Sequence, residues 1–209
     1  MTLLALEFSS PRRSAALARG GSVLAEAVET TTERGTNVFG LIEKLLAETG
    51  LARQEIEAIA VGLGPGSYTG IRAAIAVAQG WQLARAVRVL GVSSVESMAA
   101  QAEQEKKYGR VHMVVDAQRG EFYLSTWELG ADGRREVTPL RIVTAAEIAG
   151  LGGNGDLCLG PEQTPAYYPA AAMIARLASG RTDFVAAEGL EPIYLRETSF
   201  VKSPAGRVA

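Results

Sequence analysis

Gly62-Leu-Gly-Pro-Gly-Ser-Tyr-Thr-Gly-Ile-Arg72 is the stretch that decides how this chain is read. Gly62, Gly64, Gly66 and Gly70 fall within nine residues. Glycine permits positive φ and close approach of one backbone to another. Before the loop, Ile56 to Gly62 is a short apolar run with the pattern of a buried strand. After it, Thr69 to Arg85 is alanine-rich and reads as a helix, with Ser67 or Thr69 placed to cap it. A glycine-rich turn from a buried strand into a helix belongs to an α/β protein.

The loop admits two physical readings. The amides at the helix N-terminus would attract an anion, and Arg72, one turn in, can add a cation. Pro65 stiffens the turn. Named phosphate motifs do not fit, because Gly70 is followed by Ile71-Arg72 rather than Lys-Ser/Thr, and the spacing after Gly64 and Gly66 is wrong for the dinucleotide fingerprint. The other reading is a close-packing turn. Gly70, Ala73, Ala74, Ala76, Val77, Ala78 and Gly80 give the helix small residues around much of its surface, which lets another helix approach.

Outward from the loop, the pattern of elements emerges. Leu3 to Phe8 reads as a buried strand, and Ser14 to Arg19 and Val23 to Glu29 flank Gly20-Gly21, a hairpin signal. Thr36 to Thr49 places Val38, Leu41, Ile42, Leu45 and Leu46 on one helical face, with Thr36 or Asn37 as N-cap and Gly50 as stop. Val87 to Val92 is a strand and Val95 to Lys106 a helix. The second half begins with strands at Val111 to Ala117, Glu121 to Glu128, and from the Asp132-Gly133 turn to about Val143. Thr144-Ala-Ala-Glu147 has the form of a capping box and opens a short helix. A strand at Asp156 to Gly160 and a helix at Pro169 to Ser179 follow.

Three strands, helix, strand, helix thus occurs twice, with little residue-level similarity between the halves. This duplicated βββαβα order is the core of the actin-like, Hsp70-like (ASKHA) and sugar-kinase architecture, an α/β fold of two small lobes that clamps ATP. By fold alone that assigns no function. The expected division is an N-terminal lobe over 1–105, a C-terminal lobe over 106–197 and a flexible tail over 198–209.

Composition narrows the function classes. The 209 residues are 47% hydrophobic and 21% charged, enough for a sizeable core. Basic side chains number 21 and acidic 23, a formal net charge of −2, which argues against a chain that holds nucleic acid by itself. One cysteine, Cys158, excludes an intrachain disulfide framework, and one histidine, His112, excludes a His-x-x-x-His metal pair. No apolar run is long enough to span a membrane, and the N-terminus lacks a signal-peptide pattern, so a cytoplasmic protein is expected.

Glu7 ends the first strand, where ATP-clamping relatives carry an acid. Yet Ser9-Ser10-Pro11-Arg12-Arg13 offers no glycine to wrap a phosphate, and Pro11 lacks an amide. Asp116 holds the equivalent place in the second half, beside Arg119-Gly120, and reads either as a phosphate neighbour or as the cap of its own turn. His112, between Val111 and Met113, reads as a packed imidazole, and Cys158 as a small apolar group. Ser67 has no histidine in its own segment to serve as base for a nucleophile.

The loop block, with Ala76-Val-Ala-Gln-Gly80 and Leu90-Gly-Val-Ser-Ser94, resembles the bacterial TsaB (YeaZ) proteins. Leu4-Ala-Leu-Glu-Phe-Ser-Ser10, Asp116-Ala-Gln-Arg-Gly-Glu-Phe-Tyr123 and Pro192-Ile-Tyr-Leu-Arg196 extend the likeness over most of the chain. Glu7-Phe8-Ser9 stands where that family commonly has Asp-Thr-Ser, and Gly35-Thr36-Asn37 where it often has a His-containing stretch. The resemblance implies an actin-like, two-lobed fold and no catalytic residues or metal. It implies a scaffold that activates a larger paralogue, TsaD, in making threonylcarbamoyladenosine next to the tRNA anticodon, with a TsaE-type ATPase as further partner.

Contact with tRNA is then only through the complex, and the isolated chain pairs with itself. The implied interface lies on the first two helices, at Val38, Leu41, Ile42, Leu45, Ala73, Ala74 and Val77. The implied family-motif loop comprises Gly64, Pro65, Gly66, Ser67, Tyr68, Thr69, Gly70 and Arg72. Glu7 and Asp116 are the candidates for nucleotide proximity. No cofactor is expected on this chain alone, with room for ATP or ADP at the subunit junction. The competing reading is an independent actin-like ATP-dependent kinase or carbamoyltransferase.

Overall fold

The computed structural model describes residues 1–30, 37–151 and 155–195. Two sheets are present. The first has strands β1 (Thr2–Glu7), β2 (Arg12–Arg19), β3 (Ser22–Thr30), β4 (Ala58–Gly62) and β5 (Arg88–Val92) in the order β3-β2-β1-β4-β5. β1, β2 and β3 pair antiparallel, while β4 runs parallel to both β1 and β5. Gly20 and Gly21 both hold positive φ in the β2–β3 hairpin, as a tight turn matched to strand twist requires.

Helices α1 (Val38–Thr49) and α2 (Tyr68–Ala84) cover one face of this sheet. The side chain of Asn37 caps α1 by accepting from the amide of Gly40, and Gly50 closes it in the left-handed region. Thr36, the alternative cap, lies outside the described residues. Ile56 precedes β4 instead of opening it, because a short 3-10 turn at Arg53–Glu55 inserts its side chain into the core under α1.

The second sheet has β6 (Gly109–Asp116), β7 (Glu121–Gly130), β8 (Gly133–Thr144) and β9 (Leu157–Leu159) in the order β8-β7-β6-β9. Only β9 is parallel to its neighbour. The capping box at Thr144 and Glu147 forms and opens α4 (Ala145–Ala149).

Helices α3 (Ser94–Gln104) and α5 (Ala171–Ser179) pack crosswise to their place in the chain. α3 follows the first sheet but lays Val95, Met98, Ala99 and Ala102 on the second, against Val111, Met113 and Trp127. α5 follows the second sheet but lays Ala171, Ile174, Ala175 and Ala178 on the first, against Leu3, Ala5, Ala16 and Ala60. Alanine on both surfaces lets α5 approach this sheet closely. β1 is therefore buried on both faces, with Leu4 and Leu6 toward α1 and α2 and Leu3 and Ala5 toward α5.

After α5 the chain returns to the first lobe. Val185 donates to the carbonyl of Val89 beside β5, Ala187 bonds Gln79 and Gln82 of α2, and Ile193 donates to the carbonyl of Leu63. The expected tail, 198–209, lies outside the described residues.

Candidate functional site: a packed loop, an inter-lobe cleft and a helical groove

The glycine-rich loop is a packing device. A Cβ on Gly66 would overlap the carbonyl oxygen of Ser9, and one on Gly70 would overlap that of Phe8. These glycines let the loop and the start of α2 sit directly on the backbone that leaves β1. Three of its amides are engaged: Ser67 donates to Ser9 O at 2.7 Å, Gly64 to Ser94 Oγ at 3.1 Å and Gly70 to Ser67 Oγ at 3.3 Å. Gly64 holds φ +86°, and its peptide bond to Pro65 is cis. Of the two physical readings, the geometry favours the close-packing turn over an anion cradle. Ser67 is committed as the cap of α2. Tyr68, Thr69 and Arg72 point outward at the exposed start of that helix.

Beneath the loop, Glu7 is sealed. Its Oε1 accepts from the Ser9 amide at 2.7 Å and its Oε2 from the Ser94 hydroxyl at 2.7 Å. Gly62 leaves the space that this carboxyl fills. Burial raises its pKa, against smaller lowering contributions from the Ser9 and Ser94 hydrogen bonds. Glu7 thus joins β1, the loop and the start of α3, and it reaches no cavity surface. The sequence expectation of a nucleotide-proximal Glu7 is corrected on this point: the side chain has no exposed area to offer a ligand.

Asp116 does line a cavity. A cleft of about 520 Å³ between the lobes is walled by Ser9, Ser10, Ser67, Asp116, Glu162 and Tyr194, among others. The Asp116 carboxylate accepts from the amide and side chain of Gln118, both at 2.7 Å, so it holds its own turn. That turn carries positive φ at Gln118, Arg119 and Gly120. Glu162, 3.3 Å from the Asp116 amide, is pushed up by burial and by the charge of Asp116. The Ser9 and Ser67 amides are taken up in packing, and the two acids face the cleft. This set of residues does not fit a phosphate group.

His112 is packed in the second sheet, with Nδ1 2.9 Å from Thr126 Oγ1 and Nε2 3.3 Å from Asp156. Cys158 is half-buried next to it, and burial raises the thiol pKa. Among the described residues, no three of His, Cys, Asp and Glu gather closely enough to hold a metal.

The third feature is an apolar groove of about 690 Å³ between α1 and α2. Ala73, Ala76, Val77, Gly80 and Ala84 form one wall, and Phe39, 64% exposed, stands on the other. Val38 and Ile42 form its floor. Leu41, Leu45 and Ala74 do not reach it: they are buried in the core over the first sheet, Leu41 being only 6% exposed. Of the expected interface set, Val38, Ile42, Ala73 and Val77 thus line the groove, while Leu41, Leu45 and Ala74 are core. Most of the apolar stripe of α1 is satisfied by its own sheet, and the free apolar surface is the adjoining flank that carries Phe39. The signal that could have found it is Phe39, a large apolar residue off that stripe.

Comparison with known proteins agrees with this architecture. A family model described as TsaD: tRNA N6-adenosine threonylcarbamoyltransferase matches residues 28–188. The tRNA threonylcarbamoyladenosine biosynthesis protein TsaB of Escherichia coli (strain K12) is 32% identical over 133 residues, which is 64% of this chain and 58% of that protein. The protein of the same description from Bacillus subtilis (strain 168) is 30% identical over 149 residues, 70% of this chain and 64% of the relative. The match thus spans less than two thirds of these curated relatives. The solved structure of YeaZ from Pseudomonas aeruginosa superposes with a TM-score of 0.76 at 29% identity, covering 93% of this chain and 99% of that one. Sequence and backbone agree that the chain belongs to the tRNA N6-adenosine threonylcarbamoyltransferase family, within its TsaB/YeaZ branch.

Proposed function

We propose that this chain is a non-catalytic partner of a TsaD-type threonylcarbamoyltransferase, required for transfer of the threonylcarbamoyl group to the adenosine beside the tRNA anticodon. The groove between α1 and α2 carries the reading. Small residues on α2 allow a partner helix to approach closely, and Phe39 supplies an anchor. Burying a side chain of that size contributes about 1.5–3 kcal/mol. A second copy fits the same face about a two-fold axis, so the isolated chain pairs with itself until the partner displaces it.

The sealed Glu7 supports a role without catalysis. An ATP or ADP at the subunit junction would rest chiefly on the partner, as would contact with a TsaE-type ATPase. Among the described residues no helix is long and apolar enough to cross a membrane. We also infer an actin-like origin by duplication, with segments 1–105 and 106–197 as the two lobes and α3 and α5 exchanged between their sheets. Both segments begin with three antiparallel strands followed by a helix and a parallel strand.

Reconstitution with TsaD, TsaE, threonylcarbamoyl-adenylate and tRNA tests the reading. Modification is expected only when this chain is present. Equal modification in its absence would overturn the assignment. Turnover of Mg-ATP by the chain alone would favour an independent kinase or carbamoyltransferase instead.

A further inference from the structure

Three residues at the mouth of the inter-lobe cleft are left unexplained by packing or by the α1–α2 groove. Tyr68 and Tyr194 stack with centroids 5.5 Å apart and planes 23° from parallel. The guanidinium of Arg72 lies 4.4 Å over the Tyr68 ring. Tyr68 is 55% exposed and Tyr194 38%, so this aromatic surface faces solvent. The Arg72 guanidinium also hydrogen-bonds the Tyr194 hydroxyl. Among the described residues no carboxylate forms a salt bridge with Arg72.

Both rings are held by backbone on either side of the loop. Tyr68 follows Ser67, whose amide is tied to Ser9, and Tyr194 follows Ile193, whose amide is tied to Leu63. The two tyrosines come from segments far apart in sequence, so the column exists only in the folded chain. A rigid aromatic stack beside an arginine without a carboxylate supplies two parts that hold a splayed nucleotide: π-face for the base and cation for the phosphate. The acids Asp116 and Glu162 line the same cleft. Their charge keeps a phosphate out of the cleft itself, whose lining does not include Arg72.

We propose that Arg72, Tyr68 and Tyr194 form a stacking column for an unpaired base of the RNA substrate, giving this subunit a direct RNA contact within the complex. This rests on the reading of the chain as partner in a tRNA-modifying enzyme. It changes one expectation of that reading, that tRNA is met only through the other subunits.

The test is binding of a fluorescein-labelled anticodon stem-loop RNA to the complex with a TsaD-type partner, followed by anisotropy. Wild type is compared with Tyr194→Ala and Tyr194→Phe, and assembly of each complex is checked by size-exclusion chromatography. Loss of one stacked base weakens RNA binding roughly fivefold to a hundredfold. That loss is expected for Tyr194→Ala, with affinity retained in Tyr194→Phe and all three complexes intact. Unchanged affinity in an intact Tyr194→Ala complex overturns the column while leaving the partner role standing. Loss of assembly in Tyr194→Ala makes the column a protein contact and overturns it too. Should the wild type fail to pair at all, the partner role falls. The column is then judged on the chain alone, irradiated with 4-thiouridine-containing single-stranded RNA. Crosslinks at Tyr68 or Tyr194 support it, and their absence overturns it.

Discussion

Ser67 donates its backbone N–H to the carbonyl oxygen of Ser9 at 2.7 Å, which fastens the start of α2 to the end of β1. Gly66 and Gly70 flank this bond, and both lack the Cβ that would push the two backbones apart. The loop is thus the joint through which the groove-bearing helix is positioned on the central strand.

Gly70→Ala is expected to destabilise the fold by about 1–3 kcal/mol, because the neighbour it meets is the backbone carbonyl of Phe8, which cannot rotate away. Urea denaturation of the two proteins measures the difference. A variant as stable as wild type would mean that the loop is not held against β1.

Gly80→Ala should behave in the opposite way. Nothing lies within 4 Å of its added Cβ, and the residue is exposed inside α2. Helix propensity then stabilises the chain by roughly 0.5–1 kcal/mol. A bulkier Gly80→Leu would fill the groove and weaken pairing while leaving the monomer folded, read by light scattering beside a thermal melt. Unaltered pairing in Gly80→Leu would place the contact elsewhere.

Glu7 gives a pH signature. Burial raises its carboxyl above the ordinary value of 4.5, so the folded chain holds this proton more tightly than the unfolded chain. Its contribution is fully present below 4.5 and is lost as pH rises through the folded value. Glu7→Gln can still accept from the Ser9 amide and donate to Ser94 Oγ, without the charge. Its stability relative to wild type should therefore rise across that window, measured by denaturation at a series of pH values. Parallel curves would show that the carboxyl titrates as it does in the unfolded chain. Glu7→Ala leaves the Ser9 amide and Ser94 hydroxyl without this acceptor, at a cost of about 2–5 kcal/mol.

What was legible in the sequence was local. The Gly20-Gly21 hairpin, the Asn37 cap and the Thr144 box are each fixed by residues that are neighbours in the chain, so short spacing reveals them. The crossing of α3 and α5 was not legible. Their alanine-rich faces suit either sheet, and only the path of the whole chain decides which sheet receives them. The loop stood out as a string, but its cause is contact with Phe8 and Ser9, more than fifty residues away. The burial of Leu41 and Leu45 was not legible for a related reason. An amphipathic stripe marks the side that gets buried, and in α1 the lobe's own sheet takes Leu41 and Leu45.

That distinction yields a paired test of the groove. Leu41→Arg places a charge inside the core of the first lobe, and a buried unpaired charge costs several kcal/mol. It should unfold the chain or lower its melting temperature sharply, and any loss of pairing would follow from that. Phe39→Arg alters a side chain already 64% in solvent, so monomer stability should stay within roughly 0.5 kcal/mol. Loss of an anchor of about 2 kcal/mol weakens association roughly thirtyfold. Circular-dichroism melts and light scattering, with and without a TsaD-type partner, separate the two effects. A Phe39→Arg chain that is folded and still pairs at full strength would remove this flank of α1 from the interface.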